Sequence, residues 1–254
     1  MCGENNTGEG RMESKGFLGF VESVWPEFIC GEHHRAISDA FDRIISGDLK
    51  RLIVNLPPRY SKSSFFSWLL PAYKFGKRPD QNVILVNNRQ DLAVMHGLKV
   101  MRLIGSAEYQ EEFPGVSIGA DQASKVGWRL DNNRGHFRSI GVGGALCGFG
   151  SDLTIIDDPL AWSGDEGQVF EWFKSCIRTK IMPGGAIVIA ETRLPDGDLT
   201  DCLLEDSDDW EILNFSAMTE SGDSSWPGFW STEELSAIRE DISGQDWSSQ
   251  YMGA

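Results

Sequence analysis

Three short stretches carry residues able to handle a phosphorylated substrate. In 56-LPPRYSKSSFF-66, a Lys62–Ser63 pair lies between the apolar run 51-RLIVN-55 and a second apolar run. A phosphate-binding loop needs backbone N–H groups turned towards the phosphates, a lysine for the terminal ones and a hydroxyl for Mg2+. Lys62 and Ser63 meet the last two needs. Both glycines of G-x-x-x-x-G-K-[ST] are missing, with Leu56 and Ser61 in their places. Pro57 and Pro58 remove two donors at the strand exit, which leaves the amides of Tyr60 to Ser64 to face an anion at a helix N-terminus. Alone, the segment also reads as an ordinary strand–turn–helix connection. The second stretch, 153-LTIIDDP-159, is an apolar run ending in Asp157 and Asp158. One such carboxylate can hold Mg2+ through water, and the next can orient or deprotonate an attacking water. A turn or capping aspartate before Pro159 is the bland alternative. The third stretch is 190-AETR-193, where Thr192 and Arg193 could sense a terminal phosphate and Glu191 could partner Arg193.

The elements that must position these residues are legible from periodicity. Apolar residues at helical spacing (Ile37, Phe41, Ile44, Ile45) predict a helix closed by Gly47. Strands are predicted at 51–56, 81–88, 152–159, 184–193 and about 210–215, with helices over 63–74, 90–104, 166–180 and from Thr232. Residues 127–140 read as two short strands around the Asn/Gly turn "DNNRG". Unbroken apolar strands alternating with helices indicate an α/β fold, a mostly parallel sheet with helices on both faces. Ligands of such sheets bind at the carboxyl ends of the strands, where all three stretches fall.

Bulk properties narrow the classes. At 254 residues with 41% hydrophobic and 24% charged residues, the chain can bury a sizeable core. No apolar stretch approaches the roughly 20 residues of a membrane span. Five scattered cysteines argue for reduced thiols. Cys30 near His33 and His34 has no second ligand pair at metal spacing, so the histidines read as helix-surface or pocket residues. A net charge of -15 repels nucleic acid except at local basic clusters. Arg129, Arg134, His136 and Arg138 form one such cluster, either a solvated hairpin rim or a binding face.

From about Trp25 to Tyr251 the chain resembles the ATPase domain of the large terminase subunit of tailed bacteriophages. The resemblance is carried by "HHRAI", "RLIVNLPPRYSKS", "GVGGALCGFGSDLTIIDDP", "PGGAIVIAETRLPDGDL" and the closing "WSSQYMG". Where the family has "PPRHGKS", Tyr60 and Ser61 depart from it. The resemblance implies a RecA-like, additional-strand P-loop ATPase that drives viral double-stranded DNA into a procapsid. It implies ATP and Mg2+ as cofactors, with Pro58, Arg59, Tyr60, Ser61, Lys62, Ser63 and Ser64 at the phosphates and His34 near the base. Ser63 and Asp157 take the metal, Asp158 the catalytic carboxylate and Thr192 the coupling of hydrolysis to DNA movement. Arg59 is a candidate for transition-state stabilisation, with Arg138 a rival acting from a neighbouring subunit. The implied partners are a portal protein and a small terminase subunit, in a ring on the procapsid in the host-cell cytoplasm, away from any membrane; in isolation a monomer is compatible.

Residues 1–20 are expected as a flexible arm, 21–245 as the ATPase domain and 246–254 as the start of a linker to a nuclease domain, so no DNA cleavage is expected from this chain. The competing readings are a helicase-like nucleic-acid ATPase, or a nucleotide- or DNA-binding module with little hydrolysis.

Overall fold

A computed structural model describes residues 16–119, 124–131, 135–146, 148–159, 166–195, 197–207 and 209–253. Seven strands form one sheet in the order β3-β4-β2-β5-β6-β1-β7. Six of them run parallel: β1 (Arg51–Asn55), β2 (Val83–Asn87), β4 (His136–Gly141), β5 (Ser151–Asp157), β6 (Ile181–Glu191) and β7 (Glu211–Asn214). At one edge β3 (Gly127–Arg129) pairs antiparallel with β4, the hairpin foreseen around residues 132–134, which lie outside the described residues.

The central strands are apolar without interruption because both faces are covered. Leu52, Val54, Leu85, Ile155 and Val188 point into one core, shared with α1 (Phe17–Val24), α2 (Glu32–Ser46), α3 (Leu70–Lys77), α4 (Gln90–Ile104) and α5 (Ala107–Glu112). Ile53, Ile84, Ile156, Ile187 and Ile189 point the other way, against Val169 and Phe173 of the α6 segment (α6, Glu166–Trp172, with a π turn Phe173–Ile177) and Leu199 and Leu203 of α7 (Leu199–Asp206). Gly47 closes α2 with φ 97°, the left-handed geometry that suits glycine.

Two boundaries differ from expectation. The arm foreseen over 1–20 overlaps α1, whose Phe17, Phe20 and Val21 are fully buried. Phe17 packs edge-on to Phe41 at 4.9 Å, and its N–H donates to both Asp42 carboxylate oxygens at 3.0 Å. A helix of 8 residues with three buried apolar side chains is too short for periodicity to reveal. At the other end, α8 (Thr232–Asp241) and the short turn α9 (Gly244–Asp246) lead into a π-wound segment, Trp247–Tyr251. This foreseen linker start is docked: Ala217 N–H donates to Tyr251 O at 2.6 Å, and Asn214 Nδ2 to Gly253 O at 2.8 Å. Trp247 is buried and stacks on Tyr251 at 4.8 Å, which supplies the apolar reason.

Candidate active site

β5, β6 and β1 are neighbours in register, with Asp157 level with Ala190 and Asn55 level with Glu191. The three chemistry-bearing stretches therefore leave the sheet side by side. Among the described residues, the non-glycine positions of positive φ are Arg59 (66°), Ser61 (61°) and Asp158 (55°), and all three lie here. Such strain persists only where the surroundings over-determine it, and it gathers at functional sites.

The loop from β1 makes its turn with non-glycine residues at positive φ, Arg59 and Ser61. Ser61 adopts the left-handed conformation a glycine would take, and its carbonyl accepts Phe65 N–H at 3.0 Å to start the helix. Tyr60 holds the loop from behind, buried, with its hydroxyl donating to Ala217 O at 3.2 Å. Its amide donates to Pro57 O at 3.4 Å. The expected place of Tyr60 at the phosphates is thereby corrected to that of an anchor, because both its hydrogen-bonding ends are engaged within the fold. Replacing Ser61 by glycine is expected to stabilise the chain by about 0.5–1 kcal/mol, the left-handed cost less the entropy glycine loses. A urea midpoint that rises at unchanged slope is the measurement; an unchanged or lower midpoint would show Ser61 unstrained.

Lys62 Nζ sits 2.8 Å from Asp158 Oδ1 and 2.9 Å from Thr192 Oγ1. Thr192 passes its own proton to Leu56 O at 3.1 Å, so its hydroxyl accepts from the lysine. Asp158 is fixed by its own N–H, which donates to Ala190 O at 2.8 Å. The Lys62 side chain is 10% exposed and that of Asp158 46%, so the pair lies at the bottom of an open site.

Asp157 is buried, and its Oδ2 accepts from Ser67 Oγ at 2.6 Å and Asn87 Nδ2 at 3.3 Å. Its Oδ1 has no partner. An unpaired buried acceptor costs on the order of 1–3 kcal/mol. Oxygen donors are what Mg2+ takes, so the spare oxygen of Asp157, reached through water, and the Ser63 hydroxyl fit that ion.

Above this floor opens a cavity of about 380 Å³ with two unlike walls. Arg59, Ser61, Lys62, Ser63 and Ser64 form the polar wall; Trp25, Phe28, Ile29, Trp226 and Phe229 form the other, with the Glu27 carboxylate among them. Trp226 and Phe229 stack at 4.4 Å and 15°. Phe28, Ile29, Trp226 and Phe229 escaped the reading of the sequence, although the aromatic turn 226-WPGFW-230 in a polar region was a usable signal. His34 stands behind this wall, fully buried, its Nδ1 accepting Gly31 N–H at 2.9 Å and its ring 4.7 Å from Phe65. The expected base contact by His34 is corrected: it supports the aromatic wall without lining the cavity. Of the two alternatives for His33 and His34, helix-surface or pocket, the surface one does not hold: both are buried, and burial drives His33 down to about 4 and His34 lower still.

The third stretch divides its work. Arg193 is held by Asp198 at 2.6 Å and Asp201 at 2.7 Å, so its guanidinium is engaged in clamping the start of α7. Glu191 is not its partner but accepts the N–H of Thr200 at 2.8 Å and the Thr200 hydroxyl. Burial, with Asp198 adding, pushes the Glu191 carboxyl up to about 7. Arg138 lies in mid-β4, exposed and four strand spacings from β1, roughly 19 Å at the usual ~4.8 Å. The fold does not bring it to this cavity within one chain. Arg129 faces His136 in the β3–β4 register, and Arg134 lies outside the described residues.

No protein-family model and no curated protein matches the chain. Solved structures do. The chain is similar to a mutant of the Thermus phage P74-26 large terminase ATPase domain (TM-score 0.58, 15% identity, 92% of this chain and 96% of that one). It is similar to the HK97 bacteriophage large terminase (TM-score 0.64, 10% identity, 95% and 55%). A third is the large terminase of a thermophilic bacteriophage in complex with ATP-gamma-S (TM-score 0.52, 10% identity, 94% and 53%). The chain thus spans about half the length of the HK97 protein and of the thermophilic phage's protein. Its seven-stranded α/β architecture is RecA-like, and the fold is that of the phage large terminase ATPase domains.

Proposed function

We propose that this chain is a Mg2+-dependent ATPase that powers the movement of viral double-stranded DNA into a procapsid. Lys62, paired with Asp158 and Thr192 and lining a cavity with one polar and one largely aromatic wall, carries the reading. The polar wall suits phosphates and the aromatic wall suits a base, since every base offers a π-face. The thermophilic-phage relative, solved with ATP-gamma-S, supports the choice of nucleotide.

In this mechanism the terminal phosphate draws Lys62 away from Asp158, because its charge is greater than one carboxylate's. Asp158 is then free to accept the proton of an attacking water. The water oxygen bonds to the γ-phosphorus as the bond to the bridging oxygen breaks, and ADP leaves with that electron pair. Ser63, and Asp157 through water, would hold Mg2+, which when bound would supply positive charge to offset that of the phosphates. Arg59, exposed and lining the cavity, would meet the transition state in this reading, and Arg138 would be available to a neighbouring subunit's site. Thr192 links Lys62 to the end of β6, a route by which phosphate release reaches the rest of the chain. Viral DNA, a portal protein, a small terminase subunit and a ring in the host-cell cytoplasm complete the proposal.

The test is phosphate release from ATP with and without Mg2+, run beside binding of a fluorescent ATP analogue to wild type and Trp226→Ala. Loss of one base-stacking face is expected to weaken binding about 10-fold, in line with ~1–3 kcal/mol per stacked base. Turnover at saturating ATP should stay within about twofold. Binding without turnover, at any protein concentration and with DNA present, would favour a nucleotide-binding module over a motor.

A further inference from the structure

We propose that Asn87 and His96 are positioning residues for the Asp157 carboxylate: with Ser67 they turn one of its oxygens into the protein and leave the other for a hydrated divalent cation. The inference rests on the nucleotide-site reading above. β5 ends on Asp157 and its neighbour β2 ends on Asn87, directly opposite in register. The Asn87 side-chain amide donates to Asp157 Oδ2 at 3.3 Å and to the Asp157 carbonyl at 3.2 Å. Both are acceptors, so the NH2 end of Asn87 must face Asp157 and its Oδ1 must face away. That Oδ1 meets His96 Nδ1 of α4 at 3.4 Å. An amide oxygen cannot donate, so the contact requires His96 to carry its proton on Nδ1. The chain of donors therefore runs one way, from His96 through Asn87 to Asp157.

Ser67 completes the grip on the same oxygen, at 2.6 Å. It comes from the segment Ser64–Leu69, wound as a π-helix directly after the phosphate loop. Such windings are frequent at functional sites, and two others, Phe173–Ile177 and Trp247–Tyr251, lie elsewhere in the chain. All four residues are buried: Ser67 0%, Asp157 1%, Asn87 2% and His96 6% exposed. Two donors converge on Oδ2 while Oδ1 has none, in a residue only 1% exposed. A network serving packing alone would close off both oxygens. The asymmetry is what a cation-facing carboxylate needs, and groups beyond the ligands set the orientation of the ligands themselves.

The experiment measures binding of a fluorescent ADP analogue to the full chain, in EDTA and across a Mg2+ titration. In Asn87→Ala and His96→Leu the Mg2+ concentration giving half the full effect is expected to rise about 10-fold or more. Affinity in EDTA should stay within about twofold. His96→Asn keeps a donor where Nδ1 stood and is expected to restore the wild-type Mg2+ response. Folded variants with an unchanged Mg2+ response would overturn the proposal, as would equal losses with and without Mg2+, or a His96→Asn protein no better than His96→Leu. If Asn87→Ala does not fold, the two His96 variants decide alone. A wild type that binds the analogue but ignores Mg2+ also overturns it, whereas a wild type that binds none removes the nucleotide reading itself.

Discussion

Lys62→Ala is expected to reduce ATP turnover, as kcat/KM, by about 10^3-fold or more, the ~4 kcal/mol that one well-placed charge contributes to a transition state. Lys62 is the cation held deepest beside the cavity, 10% exposed, where water screens it least. A shorter side chain cannot reach the phosphates, and Arg59, exposed at the mouth, is not placed to replace it. The same substitution should leave the fold nearly intact. Asp158 loses its ion-pair partner, but at 46% exposure it regains water in exchange. Thr192 keeps its bond to Leu56 O. The expected result is therefore a cooperative melt within a few degrees of wild type beside an almost silent phosphate-release assay. Turnover within tenfold of wild type would remove Lys62 from the mechanism. A collapsed melting transition would instead make it a structural residue. If wild-type specific rate climbs with protein concentration, a group donated by a neighbouring subunit joins the site, and Arg138 is the first to substitute.

How far the sequence carries depends on the range of the physics involved. β1, β2, β5 and β6 were legible because burial on both faces forces unbroken runs of Ile, Val and Leu. Their carboxyl ends then located Lys62, Asp157, Asp158 and Thr192 without any knowledge of contacts. The missing glycine at position 61 was legible as an anomaly but not as a solution: that Ser61 would accept φ 61° depends on the loop being braced by Tyr60 from behind. Roles set by tertiary packing were not legible. The resemblance put His34 near the base, yet the turn of α2 points it into the core. Trp226 and Phe229 reach the cavity from some 160 residues further along the chain; the aromatic turn 226-WPGFW-230 marks them as unusual, but where they dock is set by tertiary packing. The Asn87–Asp157 contact is a matter of strand order, since β2 and β5 are neighbours only because β3 and β4 lie outside them.

Asp158→Asn should move two measurements in opposite directions, and that divergence tests its role more sharply than loss of activity alone. Asparagine has nearly the same shape and tolerates positive φ, so residue 158 can hold its 55° conformation. It cannot take a proton from water. Loss of a positioned general base lowers the rate about 10^2–10^4-fold. The ion pair with Lys62, 2.8 Å long and partly exposed, disappears at the same time. That pair competes with the incoming phosphate for the lysine, and a pair of this exposure is worth up to about 1 kcal/mol. Affinity for ATP is therefore expected to rise by up to about fivefold while turnover falls. Equilibrium binding of a slowly hydrolysed ATP analogue, set against single-turnover phosphate release, reads both. Unchanged turnover would move the proton acceptor away from Asp158. Weaker binding would mean that the carboxylate helps to hold the nucleotide, and that the Lys62–Asp158 pair is part of the closed site and not a latch opened by the phosphate.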